Sequence, residues 1–368
     1  MACAAALAAL MLAAAFPVKA QPTEKAEYAA MALIEAETGE LIAGENCDAP
    51  LPMASTTKIM TALVVLERCG MDELVPVPDE AVGVEGSSIY LERGESMTVG
   101  DLLYGLMLAS GNDAAAALAV YVSGSEEAFS RLMNDKAAQL GLEHTHFVTP
   151  HGLHDAEHYA TARELCLIAR EALKDERFRE IVSTRYHSAS SGSKPRAFKN
   201  KNSLLWDYDG AFGVKTGYTK AAGRCLVFGA ERGGMTLIGC VLDCGPMFET
   251  AARLMDEAFA SCSKQIVVEA GAHVFDINIS GAGENVLAVC AKSSIITVMR
   301  EGEERAFRTE TAVIEDLRAP VLRGETVGML RVYEGGALVG GTELIAANSV
   351  ASKDYGFWWR LLASLFAA

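Results

Sequence analysis

The run "KIMTALVVLE" that begins at Lys58 is apolar on nearly every face of the helix it predicts. Such a helix is built for burial, so the surrounding chain must supply layers that cover it. Ile59, Ala62, Leu63 and Leu66 recur at helical spacing, which predicts a helix over residues 57–69 with Gly70 as its stop. Its start is chemically out of character. Ser55 and Lys58, in "PMASTTKIM", lie three positions apart and therefore on one helix face. Ser55 is either a helix cap with a lysine in the first turn, or a nucleophile with its base alongside. The pair alone leaves both open.

At 368 residues the chain is long enough for two domains. The hairpin runs around "ETGE" precede the apolar helix, and helical segments are expected near 99–109, 113–122, 125–140 and 161–174. Strand character returns in "GAFGVKTGYT", "GRCLVFGAER" and "MTLIGCVLD", and "FETAARLMDEAFASC" closes the region as a helix. From about Val267 the texture becomes short β-type runs with Gly-rich turns, which predicts a small all-β domain over 266–350 after a larger mixed domain over 21–265.

Both ends are apolar. Residues 1–20, "MACAAALAALMLAAAFPVKA", read as a secretory signal peptide, although no Lys or Arg precedes the apolar stretch. The end "GFWWRLLASLFAA" is short for a span of about 20 residues and rich in interfacial aromatics, so 351–368 is read as an amphipathic membrane anchor. The formal net charge of −16 argues against a nucleic-acid partner. Nine cysteines form no dense disulfide framework and no paired Cys-x-x-Cys spacing.

Ser-x-x-Lys also occurs at Ser191/Lys194, in a loop before a proline, and at Ser261/Lys264, where a helix runs out. Only Ser55/Lys58 opens a strongly apolar helix, where unpaired N–H groups and the positive dipole end favour developing negative charge. For Lys58 to act as a base it must be neutral, which burial and a second cation would favour. Lys215, Thr216 and Gly217 in "GVKTGYT" read either as a strand ending in a turn or as that cation, together with a glycine that would let a substrate backbone approach. Ser110 and Asn112 in "LASGNDAA" read either as caps or as a proton relay and a substrate-holding amide.

In the order Ser-x-x-Lys, Ser-Gly-Asn, Lys-Thr-Gly, these motifs match the set that marks penicillin-binding proteins and class A β-lactamases. The chain resembles the low-molecular-mass penicillin-binding proteins of the D-alanyl-D-alanine carboxypeptidase type, serine peptidase family S11. "HFVTPHGLHDAEHYATARELCLIAREAL" and "NKNSLLWDYDGAFGVKTGYTKAAGRCLV" carry the likeness beyond the motifs. The resemblance implies an α+β fold: a β-lactamase/transpeptidase-like domain with an antiparallel sheet and helices, then the small all-β domain. It implies Ser55 as nucleophile, Lys58 as base, and Ser110 and Asn112 assisting proton transfer and peptide binding. Lys215 would tune the electrostatics, Thr216 would help bind the terminal carboxylate, and the N–H groups of Ser55 and Tyr218 would hold the oxyanion. No cofactor or metal is implied. The partners implied are peptidoglycan stem peptides ending in D-Ala-D-Ala, β-lactams that acylate Ser55, and the outer face of the cytoplasmic membrane.

Two departures stand out. Tyr218 occupies a position where histidine is familiar in the family. An arginine that assists carboxylate recognition is missing where Met247 and Phe248 stand, and the next, Arg253, falls inside a predicted helix. Rival readings are a DD-endopeptidase acting on cross-links, a β-lactamase, and a non-catalytic wall-binding or β-lactam-sensing protein. No Glu-x-x-Leu-Asn stretch lies between Asn112 and Lys215, which counts against a class A β-lactamase. His144, His146, His151, His154 and His158 crowd into one segment without a recognised zinc spacing, and the resemblance implies that "THFVTPHGL" is a conformation-setting loop near the site. The basic stretch "SGSKPRAFKNKN" is read as a solvated loop that could meet anionic wall polymer.

Overall fold

The apolar helix is interior: every residue of Lys58–Leu66 is buried. The structure is a computed structural model that describes residues 27–282 and 286–352. The signal reading at 1–20, and all but the first two residues of the anchor reading at 351–368, lie outside the described residues. Among the described residues no helix is long and apolar enough to cross a membrane.

A five-stranded antiparallel sheet forms one wall of the catalytic domain, in the order Leu41–Glu45, Ala30–Glu35, Met235–Leu242, Gly223–Arg232, Ala211–Thr219. The hairpin around "ETGE" therefore joins the sheet by pairing Ala30–Glu35 with the last strand, Met235–Leu242. One sheet face packs on the central helix and its neighbours through Val227, Cys240 and Leu242. The other packs on the helix Met247–Ser261 through Leu226, Phe228 and Leu237. Burial on both faces explains why these strands read as continuous apolar runs. The strand Ala211–Thr219, which carries Lys-Thr-Gly, lies at the edge of the sheet.

Three segments differ from expectation. The helix expected over 99–109 is α-helical only over Val99–Tyr104 and continues as a wider π turn, Gly105–Ala109, ending at Ser110. "SGSKPRAFKNKN" is no solvated loop. Arg196–Lys199 is a strand paired with Tyr186–Ala189, and Arg196 is buried against Glu95. A helix over Glu176–Ser183, absent from the sequence reading, precedes that hairpin.

The last helix of the catalytic domain ends at Ser261, and the strand Cys262–Val268 follows directly, pairing with Ile295–Arg300. A five-stranded antiparallel sheet completes this all-β domain around Leu287, Val289, Val327, Leu330, Val332 and Leu344. Glu40, at the turn of the N-terminal hairpin, joins the two domains. Its carboxylate accepts from Thr297 Oγ1 (2.9 Å), Val298 N (2.9 Å) and Arg305 Nη1 (2.8 Å). Alanine at Glu40 leaves the Val298 N–H without its acceptor and takes one of two carboxylates from Arg305, which keeps Glu334. The expected loss is about 2 kcal/mol of unfolding free energy, measured as a lower urea midpoint.

Candidate active site

Residues Ala54–Thr57 form a 3-10 turn that runs straight into the central helix. Ala54 takes φ +49°, a region that L-residues disfavour. Packing holds it there. A Cβ on Gly217 would stand 3.1 Å from both Met53 O and Ser55 N, and one on Gly152 would fall 2.0 Å from Ala54 O. Only glycine lets the Lys-Thr-Gly strand and the 149–153 loop approach the turn so closely. The Cβ side of Gly217 thus abuts the protein's own turn, while Gly217 itself also lines the cleft.

Ser55 is not a helix cap, which corrects one of its two sequence readings. The turn has no side-chain cap; Thr56 Oγ1 donates to Met53 O (2.6 Å) and Thr57 Oγ1 donates to Ala54 O (2.8 Å). The neighbouring threonines satisfy the turn, and the Ser55 hydroxyl is left to Lys58, whose Nζ lies 2.9 Å from Ser55 Oγ.

The other two contacts of Lys58 Nζ are oxygens that can only accept: Asn112 Oδ1 at 2.7 Å and the His151 carbonyl at 2.7 Å. A neutral amine has two hydrogens and one lone pair. In that neutral form the two carbonyl-type oxygens would take the hydrogens and the lone pair would be directed to the Ser55 hydroxyl proton. Burial is the main force holding Lys58 well below the usual lysine range; the charges of Lys215 and Lys201 add to it, while Asp113 opposes it. Lys215 is buried on the edge strand, donates to the Thr216 carbonyl at 3.1 Å, and is pushed down to about 7 by burial and, secondarily, by Lys201.

Ser110 ends the π turn in the left-handed region, φ +65°. Asn112 begins the next helix with both ends of its amide engaged: besides the Lys58 contact, Nδ2 donates to the Glu85 carbonyl at 2.5 Å. Its observed work is to grip Lys58. A cleft of about 450 Å³ opens over these groups and is lined by Ser55, Ser87, Ser110, Lys201, Thr216, Gly217, Tyr218, Arg224, Met247 and Phe248. The structure therefore gathers Ser55, Ser110, Thr216, Gly217 and Tyr218 on the cleft wall, with Lys58, Asn112 and Lys215 buried beneath or beside it.

Sequence reasoning missed four contributors. Lys201 donates to Ser87 Oγ at 3.2 Å and supplies the third cation of the site. Arg224 reaches the cleft from the strand Gly223–Arg232, which pairs with the edge strand. The signal for it was available: the short connection from Thr219 to Gly223 fixes a register in which Tyr218 faces Arg224. Asp113 fixes the opposite wall by accepting from Ser88 Oγ (2.5 Å), Ile89 N (3.0 Å) and Leu91 N (3.1 Å). His158 Nδ1 accepts from Val148 N (2.9 Å), and Nε2 lies 2.8 Å from Thr57 Oγ1. With Nδ1 accepting and Thr57 donating to Ala54, the proton sits on Nε2, and a neutral imidazole ties the histidine-rich loop to the Ser55 turn. Burial above all, then the other histidines, pushes His158 down to about 3, in keeping with that tautomer.

The two other Ser-x-x-Lys pairs carry structural contacts. Ser191 Oγ donates to Asp101 (2.6 Å) while Lys194 pairs with Glu92 (2.6 Å). Ser261 Oγ donates to Glu257 O (2.7 Å) while Lys264 pairs with Glu37 (2.7 Å). All eight cysteines among the described residues are unpaired.

Residues 17–245 match the model of the D-alanyl-D-alanine carboxypeptidase family, serine peptidase family S11. The chain belongs to this family. Residues 263–352 match the C-terminal domain of penicillin-binding protein 5. The D-alanyl-D-alanine carboxypeptidase DacF of Bacillus subtilis is 33% identical over 333 residues, 88% of this chain and 84% of that protein. DacC of Escherichia coli is 30% identical, over 89% of this chain and 85% of its own. Among solved structures, penicillin binding protein 5 from Haemophilus influenzae superposes with TM-score 0.73 at 27% identity, over 89% of this chain and 98% of its own. The expected α+β fold with an appended all-β domain is that of these S11 relatives.

Proposed function

We propose that the chain is a serine D-alanyl-D-alanine carboxypeptidase that trims the terminal D-alanine from peptidoglycan stem peptides. The observation that carries this reading is the environment of Lys58 Nζ: two acceptor-only oxygens and one hydroxyl, in a buried site beside two further cations. Ser55 Oγ attacks the carbonyl between the two D-alanines as its proton passes to Lys58. The oxyanion is received by the N–H groups of Ser55 and Tyr218. The C–N bond then breaks, with a proton delivered to the leaving amine through Ser110. Water attacks the resulting ester, giving its proton to Lys58, and Ser55 is regenerated. β-Lactams acylate the same oxygen.

Asn112 keeps the lone pair of Lys58 aimed at Ser55, and burial above all, with Lys215 and Lys201 adding to it, pushes the pKa of that amine down. Residues 1–20 and 351–368, as signal and amphipathic anchor, would hold the enzyme at the outer face of the cytoplasmic membrane, with the all-β domain between anchor and catalytic domain.

Incubation of the purified chain with muropeptides, followed by mass spectrometry, tests the reading. Loss of one alanine from uncross-linked pentapeptides supports it. Cleavage of cross-links with pentapeptides left intact would instead favour the endopeptidase reading.

Glycine at Ser110 separates a chemical role from a structural one. Glycine adopts φ +65° without strain, so relief of the left-handed backbone offsets the greater freedom of the unfolded chain. Thermal stability is expected to stay within about 0.5 kcal/mol. Turnover is expected to fall about 10²- to 10⁴-fold, because the proton relay is lost.

A further inference from the structure

The cleft side of Thr216 needs a cation if a terminal carboxylate is to rest there, and Met247 and Phe248, which line that side, offer none. Arg253, the next arginine in the chain, is held by Glu27 (2.7 Å) and Glu257 (3.4 Å). Arg224 remains. It lines the same cleft, and no carboxylate among the described residues pairs with it; Nη1 donates to the Gly245 carbonyl at 3.1 Å.

The register says which way it faces. Tyr218 is opposite Arg224 and Thr216 is opposite Leu226. Side chains alternate along a strand and cross-strand partners share a face, so Thr216, Tyr218, Arg224 and Leu226 point to one side of the sheet. Leu226 packs with Leu254 and Met255, which identifies that side as the one facing the helix Met247–Ser261. Lys215 points the other way, toward the central helix. Lys201, the remaining cation of the cleft, is engaged with Ser87 on the opposite wall.

We propose that Arg224, with Thr216, receives the terminal carboxylate of the substrate and sets a preference for free C-termini; this rests on the carboxypeptidase reading. A guanidinium anchored at one corner by Gly245 still presents N–H groups in a fork that matches a carboxylate. A cross-linked or amidated terminus cannot supply that charge, so Arg224 acts as a specificity residue and takes no proton itself.

The test uses the purified chain and two acyl-D-alanyl thioesters, whose leaving groups end in a carboxylate or in the matching carboxamide; thiol release is followed. Wild-type enzyme is expected to favour the carboxylate about 10- to 100-fold in kcat/KM, the scale of a charge-assisted hydrogen bond. R224Q should lose that factor on the carboxylate substrate while the carboxamide rate stays within about threefold, and R224K should recover part of it. The unchanged carboxamide rate shows that the variant is folded. Discrimination that persists in R224Q, that is absent from the wild type, or that collapses in K201Q instead would overturn the assignment. Equal loss on both substrates in R224Q, with no recovery of discrimination in R224K, would also overturn it, leaving a structural role. A wild type that releases neither thiol from these substrates nor D-alanine from a D-Ala-D-Ala peptide defeats the carboxypeptidase reading itself, a result distinct from all of these.

Discussion

Alanine at Ser55 is expected to remove turnover and covalent labelling by a β-lactam together, a loss on the order of 10⁴-fold or more. Alanine at Lys58 keeps the hydroxyl but removes the base, and should slow acylation about 10²- to 10⁴-fold. A Ser55→Ala enzyme that still released D-alanine would sink the assignment. The pH profile probes the same pair. Acylation needs neutral Lys58, so the rate falls as pH drops through the pKa of that amine. Burial sets most of its depression, and Lys215 and Lys201 add to it. Methionine at Lys215 removes one of those charges and lets the Lys58 pKa rise. The acid limb of the acylation rate should therefore move to higher pH than in the wild type. Stopped-flow acylation across pH measures the shift, and an unmoved limb would mean that Lys58 is not the group titrating.

The parts of this site that sequence made legible are those set by local spacing. Three residues from Ser55 to Lys58 place both on one face wherever the helix begins. The order of the motifs then separates the working pair from Ser191/Lys194 and Ser261/Lys264. What local spacing does not carry is the reason Ser55 is free to react. Its turn is a 3-10 turn with Ala54 at positive φ because Gly217 and Gly152, distant in the chain, close against it. No property of "PMASTT" alone reveals that.

Charged residues show the same limit. In "SGSKPRAFKNKN" the lysines and arginine look equivalent, yet Lys194 pairs with Glu92, Arg196 is buried on Glu95, and Lys201 enters the cleft. Each fate depends on a partner far away in sequence. Composition favours the surface for all of them, so the reading as a solvated loop followed the average and missed the exceptions. The same holds for the histidines, whose clustering says nothing of which ring is buried until Thr57 and Val148 are seen to flank His158.

Methionine at Arg196 should be the most destabilising of the substitutions considered. The Arg196–Glu95 pair is almost fully buried, with side-chain exposures of 5% and 2% and contacts of 2.6 and 3.0 Å. Removing the guanidinium strands a carboxylate in the interior, at a cost of about 3–5 kcal/mol. Burial pushes the Glu95 carboxyl up, but hydrogen bonds from Arg196, Ser193 and Glu92 outweigh it and bring the group down to about 2. A folded pKa below the unfolded value contributes stability that is full above about 4.5 and lost as pH falls toward 2. In the variant the carboxyl keeps the hydrogen bonds from Glu92 and Ser193 but loses the guanidinium, so its pKa rises from that low value and less stability is lost on acidification. The stability gap between wild type and Arg196→Met should thus be widest near neutral pH and narrow on acidification. Urea midpoints measured from pH 7 to pH 3 test this, and a gap independent of pH would assign the loss to packing instead. Activity should follow. Arg196 also donates to the carbonyls of Ile89 (2.9 Å) and Tyr90 (2.7 Å), just after Ser87 on the cleft wall. A substitution outside the cleft should therefore raise KM even where the variant remains folded, because the wall that faces Lys-Thr-Gly is fixed from behind by this buried pair.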